Sequence, residues 1–368
     1  MNIQDIDTPA LIIDREKMLD NIKFMQAYAD RHNVSLRPHT KTHKMPALAK
    51  LTENYGAKGI AVAKVGEAEA MAAAGLKDIF IANEIVGNIK WERIRKLAES
   101  ISISFGIDSP CQVEGIEKVF ANEAKPAEVL IEIEVGENRS GIILEEDYFK
   151  LLETIKACPH VHLKGVFSHD GNTYGAKDLA ECFELATAAQ KRTVYFANLA
   201  RELGFECSVV SYGSTPTFMN DVPIIEGITE LRPGTHIFMD VGQGNAIGTY
   251  DRCAATVLAT VISKPTKERT IMDAGAKALT KETRVGGICN TNGMGIFLDH
   301  QDISVTKLYD EHTIIINEEL VKRVEIGDKL RIIPVHICPV CNLYDEAYLV
   351  SGDEVVEVLK IAGRGKIQ

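Results

Sequence analysis

The densest run of chemistry-bearing side chains is RPHTKTHK (37–44), which brings Arg37, His39, Lys41, His43 and Lys44 together. A second positive charge nearby disfavours the protonated form of a lysine. The amine pKa falls, and the free amine is a nucleophile toward carbonyl groups. The bland alternative for the segment is a solvated basic loop. Other segments carry groups that would complement a reactive amine. VGENRSGI (135–142) holds Arg139, and SHDGNTYG (168–175) holds His169. SYGSTPT (211–217) is a turn through Gly213, Ser214 and Thr215, and ELRPGTH (230–236) is a turn with Gly234 beyond Pro233. Backbone N–H groups in such Gly- and Ser-rich turns form anion cradles. Any one of these segments is more often ordinary loop than site. Their recurrence after successive apolar runs argues that a scaffold gathers them.

The scaffold is legible between about residues 35 and 240. Short apolar runs at 35–40, 59–63, 78–83, 102–107, 128–135, 162–168, 206–211 and near 228–232 alternate with helical patterns at 44–55, 65–75, 86–99, 110–122, 145–157 and 176–204. Runs that are apolar through their centres suit strands buried on both faces, as in a parallel sheet. Seven or eight such units fit a (β/α)8 barrel better than a doubly wound sheet, with open sheets of fewer strands as the alternative. In a barrel the carboxyl ends of the strands carry the active site, and the loops after strands 7 and 8 often bind phosphate.

After residue 240 the texture changes to β-branched runs at 255–263, 268–275, 313–318, 329–338, 347–351 and 354–363, separated by turns such as Gly327-Asp328 and Gly352-Asp353. This predicts an antiparallel β domain, with the strand-like run 10–17 available to pair with it. The expected domains are a barrel over 15–240 and a β domain formed by 1–14 plus 241–368.

Composition narrows the class. Lys plus Arg is 41 and Asp plus Glu is 52 in 368 residues, a formal charge of −11, which disfavours non-specific binding to nucleic acid or anionic membranes. No apolar run approaches the length of about 20 residues that spans a bilayer. The first residues carry acids where a signal peptide carries bases, so the expectation is a soluble, cytoplasmic protein. Eight dispersed cysteines make no disulfide framework and read mostly as small core hydrophobes.

From DTPALIID (7–14) to the C-terminal strands, the chain resembles the fold-type III pyridoxal-phosphate enzymes, an alanine-racemase-like barrel plus a β domain. Within them it is most similar to the branch of D-serine dehydratase, D-threonine aldolase and D-3-hydroxyaspartate aldolase, whose lysine motif RPHTKTHK matches. The resemblance implies that Lys41 holds pyridoxal 5'-phosphate through its amine. It implies that Arg139 contacts the cofactor's phenolic edge and that His169 lies against the pyridine ring. Gly213, Ser214 and Thr215 then bind the phosphate with Gly234 and Thr235, and Arg232 faces the pyridine nitrogen. Tyr174 and Asn172 match positions near the cofactor.

The same branch binds a divalent metal through His-x-Cys or His-x-Asp, and His336 and Cys338 in PVHICPVCNLYDE (334–346) fit that pair. In a strand, residues i and i+2 share a face, so both side chains would reach one ion. Imidazole with thiolate favours Zn2+, with Mn2+ as the alternative. The competing readings are a buried core cysteine or a structural zinc site using Cys338 and Cys341. Lys277 in DAGAKALT (273–280) and His312 in YDEH (309–312) match lesser family segments, and His160 and His162 read as surface. The resemblance implies a lyase acting on small D-β-hydroxy amino acids, as a homodimer. The cysteine ligand points to D-serine dehydratase, with D-threonine aldolase as the alternative. An amino-acid racemase would need a second base such as Tyr250 or Tyr309, and a non-catalytic carrier would lack the second domain.

Overall fold

Eight short parallel strands carry the first half of the architecture in the computed structural model, which describes residues 1–368. They are Ser35–Leu36, Ile60–Val62, Asp78–Glu84, Ser102–Ile107, Ala127–Glu132, Val161–Ser168, Val209–Tyr212 and Glu230–Leu231. From Ile60–Val62 onward each pairs in parallel with the next, and Glu230–Leu231 pairs with Ser35–Leu36. A parallel bridge between His39 and Ala61 closes the ring. Strand centres such as Val129, Leu130 and Ile131 are buried on consecutive residues, as a sheet covered on both faces requires.

The helices follow local rules. In Pro110–Phe120, Ser109 and Gln112 form a capping box, Pro110 takes the first turn, and Val113, Ile116 and Phe120 bury one face. Asp178 caps Leu179–Glu202 by accepting from the Glu181 N–H. The expected strand 35–40 is shorter than its sequence suggests. Pro38 has no N–H to donate, although Arg37 and His39 still donate to Leu231 O and Pro233 O at 2.9 and 2.8 Å.

The second sheet has ten strands, in the order His300–Ser304, Gly295–Phe297, Lys329–Pro334, Ala255–Thr266, Ala10–Asp14, Glu346–Ser351, Glu354–Lys360, with Arg269–Met272, Thr313–Ile316 and Lys307–Leu308 branching from Ala255–Thr266. It is mixed, not antiparallel throughout, because Ala10–Asp14 runs antiparallel to Ala255–Thr266 but parallel to Glu346–Ser351. The run 10–17 is a strand only to Asp14. Asp14 Oδ1 then accepts the Lys17 N–H at 3.0 Å, and the helix Arg15–Arg31 begins.

By internal contacts the chain forms two compact units, Met1–Phe24 with Thr42–Ala47 and Thr235–Arg364, and Met25–Lys41 with Leu48–Gly234 and Gly365–Gln368. The first unit border thus falls at 24/25, inside the helix Arg15–Arg31, whereas the expected border at 14/15 lies at the start of that helix. Asn21 ties the start of that helix to the β unit, donating to Ile237 O and Arg252 O at 3.3 and 2.9 Å. Residues 42–47 also belong to the β unit, where Gly363 N–H donates to Lys44 O at 3.0 Å. No helix is long and apolar enough to cross a membrane.

Candidate active site

Within the barrel unit, Lys41 follows the first strand in a turn, and its N–H points to His39 Nδ1 at 3.4 Å. The strand itself is anchored from beneath by Arg37, which is buried and donates to Glu230 Oε2 at 2.7 Å and Asp78 Oδ1 at 2.8 Å. Arg37 is therefore structural. His39 is buried, and burial holds its pKa well below the usual histidine range; Lys41, Arg232, His169 and Arg139 all push the same way. Mutual repulsion of this kind marks an electropositive lining.

His169 follows the strand Val161–Ser168. Its Nδ1 lies 3.0 Å from Gly213 O, so Nδ1 carries the hydrogen. Burial, then Lys41 and Arg139, push its pKa down to about 3, which leaves the ring neutral. Tyr174 packs edge-on to it at 6.4 Å between ring centroids. Asn172 sits two residues before Tyr174 and keeps a buried Oδ1 with no hydrogen-bond partner. Arg139 extends from the loop after Ala127–Glu132 and meets Glu132 and Glu137, each at 3.3 Å.

Arg232 is buried, donates from Nη2 to Ser168 O at 2.7 Å, and lies over the rings of Phe80 and Phe167 at 5.7 and 5.2 Å. Its Nε and Nη1 have no hydrogen-bond partner, and burial pulls its pKa down to about 10. A guanidinium edge left without an acceptor in a cationic lining suits an anionic ligand with an acceptor atom.

The turn after Val209–Tyr212 is built for close backbone approach. Gly213 has φ 133°, and a Cβ there would sit 2.0 Å from the Phe218 ring. Ser214 Oγ lies 3.2 Å from both Thr173 Oγ1 and Thr217 Oγ1. Thr215 opens the short helix Thr215–Met219, and Gly234 and Thr235 follow the last strand. An electropositive lining, a nucleophilic amine, an orphaned guanidinium edge and a glycine-bearing turn fit an aldehyde cofactor with a phosphate group.

Within the β unit, the strand expected over 329–338 stops at Pro334. His336 instead caps the short helix Ile337–Cys341, because Asp240 Oδ2 accepts the Ile337 N–H at 3.1 Å. The shared-face argument from strand geometry is thus replaced by a helix start, yet the two side chains still meet, and their hydrogen bond raises one pKa and lowers the other. Burial opposes the charge on Cys338, but His336 and a hydrogen bond to Thr42 bring its thiol down to about 7. Burial likewise opposes the charge on His336, but Cys338 and Glu282 lift it to about 10. Each group thus favours the charged form of the other.

Thr42 Oγ1 and Thr235 Oγ1 lie 3.2 and 3.6 Å from the sulfur, and both Glu282 oxygens lie 2.8 Å from His336 Nδ1. Thr42, Asp240 and Glu282 were not singled out by the sequence. Thr42 adjoins Lys41 and was the one within reach of the motif, whereas Glu282 has no local signal. No group of three or more His, Cys, Asp or Glu side chains is arranged to hold a metal. Six of the eight cysteines are buried, as expected of core residues.

The lesser candidates make other contacts. Lys277 is exposed and paired with Glu311 at 2.5 Å, His312 is exposed, and Tyr309 packs under Lys307 Nζ at 4.7 Å. Tyr250 donates to Asn245, His160 pairs with Glu117 at 2.6 Å, and His162 is exposed.

Comparison with known proteins follows the same division. Residues 13–241 match the model of the alanine racemase N-terminal domain, and residues 254–350 match that of a serine dehydratase domain. The chain is 32% identical to D-threonine aldolase of Arthrobacter sp, over 98% of this chain and 93% of that one. It is 31% identical to D-threo-3-hydroxyaspartate dehydratase of Delftia sp. (strain HT23), over 90% of this chain and 91% of that one. The solved structure of that dehydratase superposes with a TM-score of 0.91, covering 98% of each chain at 29% identity. Two solved variants of it replace a histidine and, two positions later, a cysteine with alanine, the latter in the metal-free form. D-serine dehydratase of Dictyostelium discoideum is 24% identical over 96% of each chain.

Proposed function

Because the chain belongs to the family that joins an alanine racemase N-terminal domain to a serine dehydratase domain, and is a pyridoxal-phosphate-dependent lyase of D-hydroxy amino acids, we propose that it converts D-serine to pyruvate and ammonia with the help of a divalent metal held by His336 and Cys338. The observation that supports the choice is the set of contacts around the pair: Thr42 Oγ1 lies 3.2 Å from Cys338 Sγ, and both Glu282 oxygens lie 2.8 Å from His336 Nδ1, which leaves Nε2 for an ion. A thiolate beside an imidazole is a soft donor set that favours Zn2+ over Mn2+. The metal-free cysteine variant of the Delftia dehydratase supports the same assignment.

In this reading Lys41 binds the cofactor, Gly213, Ser214, Thr215, Gly234 and Thr235 hold its phosphate, and Arg139, His169, Arg232, Tyr174 and Asn172 surround its ring. Pyridoxal phosphate, when bound, supplies an electron sink for the bond broken at Cα. The Lys41 amine would take the Cα proton. His169, whose pKa burial, Lys41 and Arg139 push down, would meet the ring as a neutral imidazole. Arg232 turns its unpartnered Nε and Nη1 to an acceptor and so orients the ring without exchanging a proton. His336 and Cys338 would hold Zn2+, whose Lewis acidity would favour loss of a β-hydroxyl.

The second reading is D-threonine aldolase, yielding glycine and acetaldehyde, and it is favoured by the 32% identity to the Arthrobacter enzyme. A homodimer in the cytoplasm belongs to the same reading.

Purified protein assayed with D-serine, D-threonine and D-3-hydroxyaspartate, with and without chelator, decides. Pyruvate from D-serine that disappears with chelator and returns with Zn2+ is the expected result. Acetaldehyde from D-threonine, without pyruvate from D-serine, would replace the lead by the aldolase.

A further inference from the structure

The residue after His169 is bound to both ends of the Gly213 turn. Asp170 is 0% exposed, and its Oδ2 accepts from Tyr212 Oη at 2.6 Å and from Thr217 Oγ1 at 2.5 Å. Tyr212 ends the strand Val209–Tyr212, and Thr217 lies in the short helix Thr215–Met219, so the two donors flank Gly213, Ser214 and Thr215. The backbone of Asp170 reaches the same turn. Its carbonyl accepts from Thr173 Oγ1 at 2.7 Å, and that oxygen lies 3.2 Å from Ser214 Oγ.

A hydroxyl has one hydrogen and two lone pairs. Thr173 and Thr217 give their hydrogens to Asp170, so each meets Ser214 as an acceptor. The hydrogen available to both 3.2 Å contacts is that of Ser214. Of the three hydroxyls, the serine is therefore the one whose hydrogen can turn to an anion. The other carboxylate oxygen, Oδ1, is buried and has no hydrogen-bond partner. Burial raises the Asp170 pKa, and the hydrogen bonds from Thr217 and Tyr212 oppose that rise. A buried carboxyl group with one oxygen doubly bonded to the turn and the other unpartnered is costly, and good packing alone gives no reason for it.

We propose that Asp170 is a positioning residue for phosphate: it clamps both ends of the turn and holds Thr173 and Thr217 so that Ser214 donates to the anion. The proposal rests on the reading in which this turn holds the cofactor's phosphate.

The full chain is titrated spectrally with pyridoxal phosphate and with pyridoxal, which carries the aldehyde but no phosphate. Asp170→Leu removes the acceptor and is expected to weaken pyridoxal phosphate by about tenfold or more and pyridoxal by less than about twofold. Asp170→Asn offers an amide oxygen to the same two hydroxyls, and replacing the unpartnered Oδ1 by NH2 deletes no hydrogen bond. That variant should stay within about threefold of the parent. Ser214→Ala is expected to weaken pyridoxal phosphate by about tenfold, with Asp170→Leu adding less to it than Asp170→Leu costs alone. Thr217→Val keeps the side-chain shape, deletes one donor and should weaken pyridoxal phosphate alone, by about threefold. It decides the matter if Asp170→Leu does not fold. Equal losses for the two ligands, equal losses in Asp170→Leu and Asp170→Asn, or an unaffected Thr217→Val protein would overturn the proposal.

A readout without cofactor separates the clamp from the phosphate reading. Amide hydrogen exchange across residues 209–219 should quicken in Thr217→Val and not in Asp170→Asn. Unchanged exchange in Thr217→Val would overturn the clamp. A parent protein that binds pyridoxal as tightly as pyridoxal phosphate would sink the phosphate reading and the role of Ser214, while quickened exchange would leave the clamp standing.

Discussion

Thr42 Oγ1 lies 3.2 Å from Cys338 Sγ, and Thr42 is the residue that follows Lys41. Consecutive Cα atoms are about 3.8 Å apart. The backbone of the lysine and the hydroxyl that helps stabilise the thiolate are thus parts of one short segment. A change at Thr42 should register in the chemistry of the sulfur without removing either proposed metal donor.

Metal retention follows from that contact. His336→Ala and Cys338→Ala should each lose stoichiometric Zn2+ after dialysis, measured by elemental analysis. Thr42→Val keeps the shape of the side chain but deletes the hydroxyl, and should weaken Zn2+ binding by roughly tenfold, the usual scale for a group that orients a ligand. A Thr42→Val protein with unchanged affinity in a competition titration would show that the 3.2 Å contact is incidental.

Lys41→Ala should fold like the parent and fail to develop the visible absorbance of a cofactor bonded to a lysine amine when pyridoxal phosphate is added. His39, His43 and Lys44 remain in this variant. Persistence of the absorbance would transfer the role to another amine, and Lys44, whose Nζ donates to Asn342 Oδ1 at 2.8 Å, would be the first to examine.

Gly213→Ala should disable phosphate capture. Its φ of 133° disfavours any side chain, and the added methyl would sit 2.0 Å from the Phe218 ring, so the turn must shift. The expectation is a cofactor Kd weakened by about tenfold or more, read by spectral titration. Because the turn is local, the thermal midpoint without cofactor should fall by only a few degrees, the effect of about 1 kcal/mol.

Acid stability should carry the signature of His43. It is buried, its Nδ1 accepts the Met45 N–H at 3.0 Å, and burial pushes its pKa down from the ordinary value of 6.5 to about 3. The unfolded chain takes up a proton below pH 6.5 that the folded chain refuses. The stability linked to this group is therefore fully present above pH 6.5 and is lost as pH falls toward 3. From pH 6.5 to 5 the loss is about 2 kcal/mol, at roughly 1.4 kcal/mol per unit. His39 and His169, also lowered, add to the slope with the same sign. Urea denaturation of His43→Gln over that range should show a slope shallower than the parent's by up to about one proton. Parallel slopes would remove His43 from this role.

The barrel was readable because its signal is local. Parallel strands covered on both faces must be apolar through consecutive residues, and helices must bury every third or fourth. The runs expected at 102–107 and 145–157 coincide with Ser102–Ile107 and Glu145–Ala157. The helix Arg15–Arg31 is hidden because its charged first residues, Arg15, Glu16 and Lys17, follow the strand Ala10–Asp14 with no turn residue between, and the Asp14 side chain, turned onto the Lys17 N–H, separates the two.

What the sequence by itself determined was the order of strands and helices, the basic segment around Lys41 and the glycine turns, since each is written in neighbouring residues. Tertiary structure alone decided that the strand before His336 ends at Pro334, because its terminating carboxylate, Asp240, comes from 97 residues away. It alone set Glu282 against His336, 54 residues apart in a chain whose local periodicity gives no sign of the pair. Charge and protonation depend on such through-space neighbours and on burial, and neither is a property of sequence spacing.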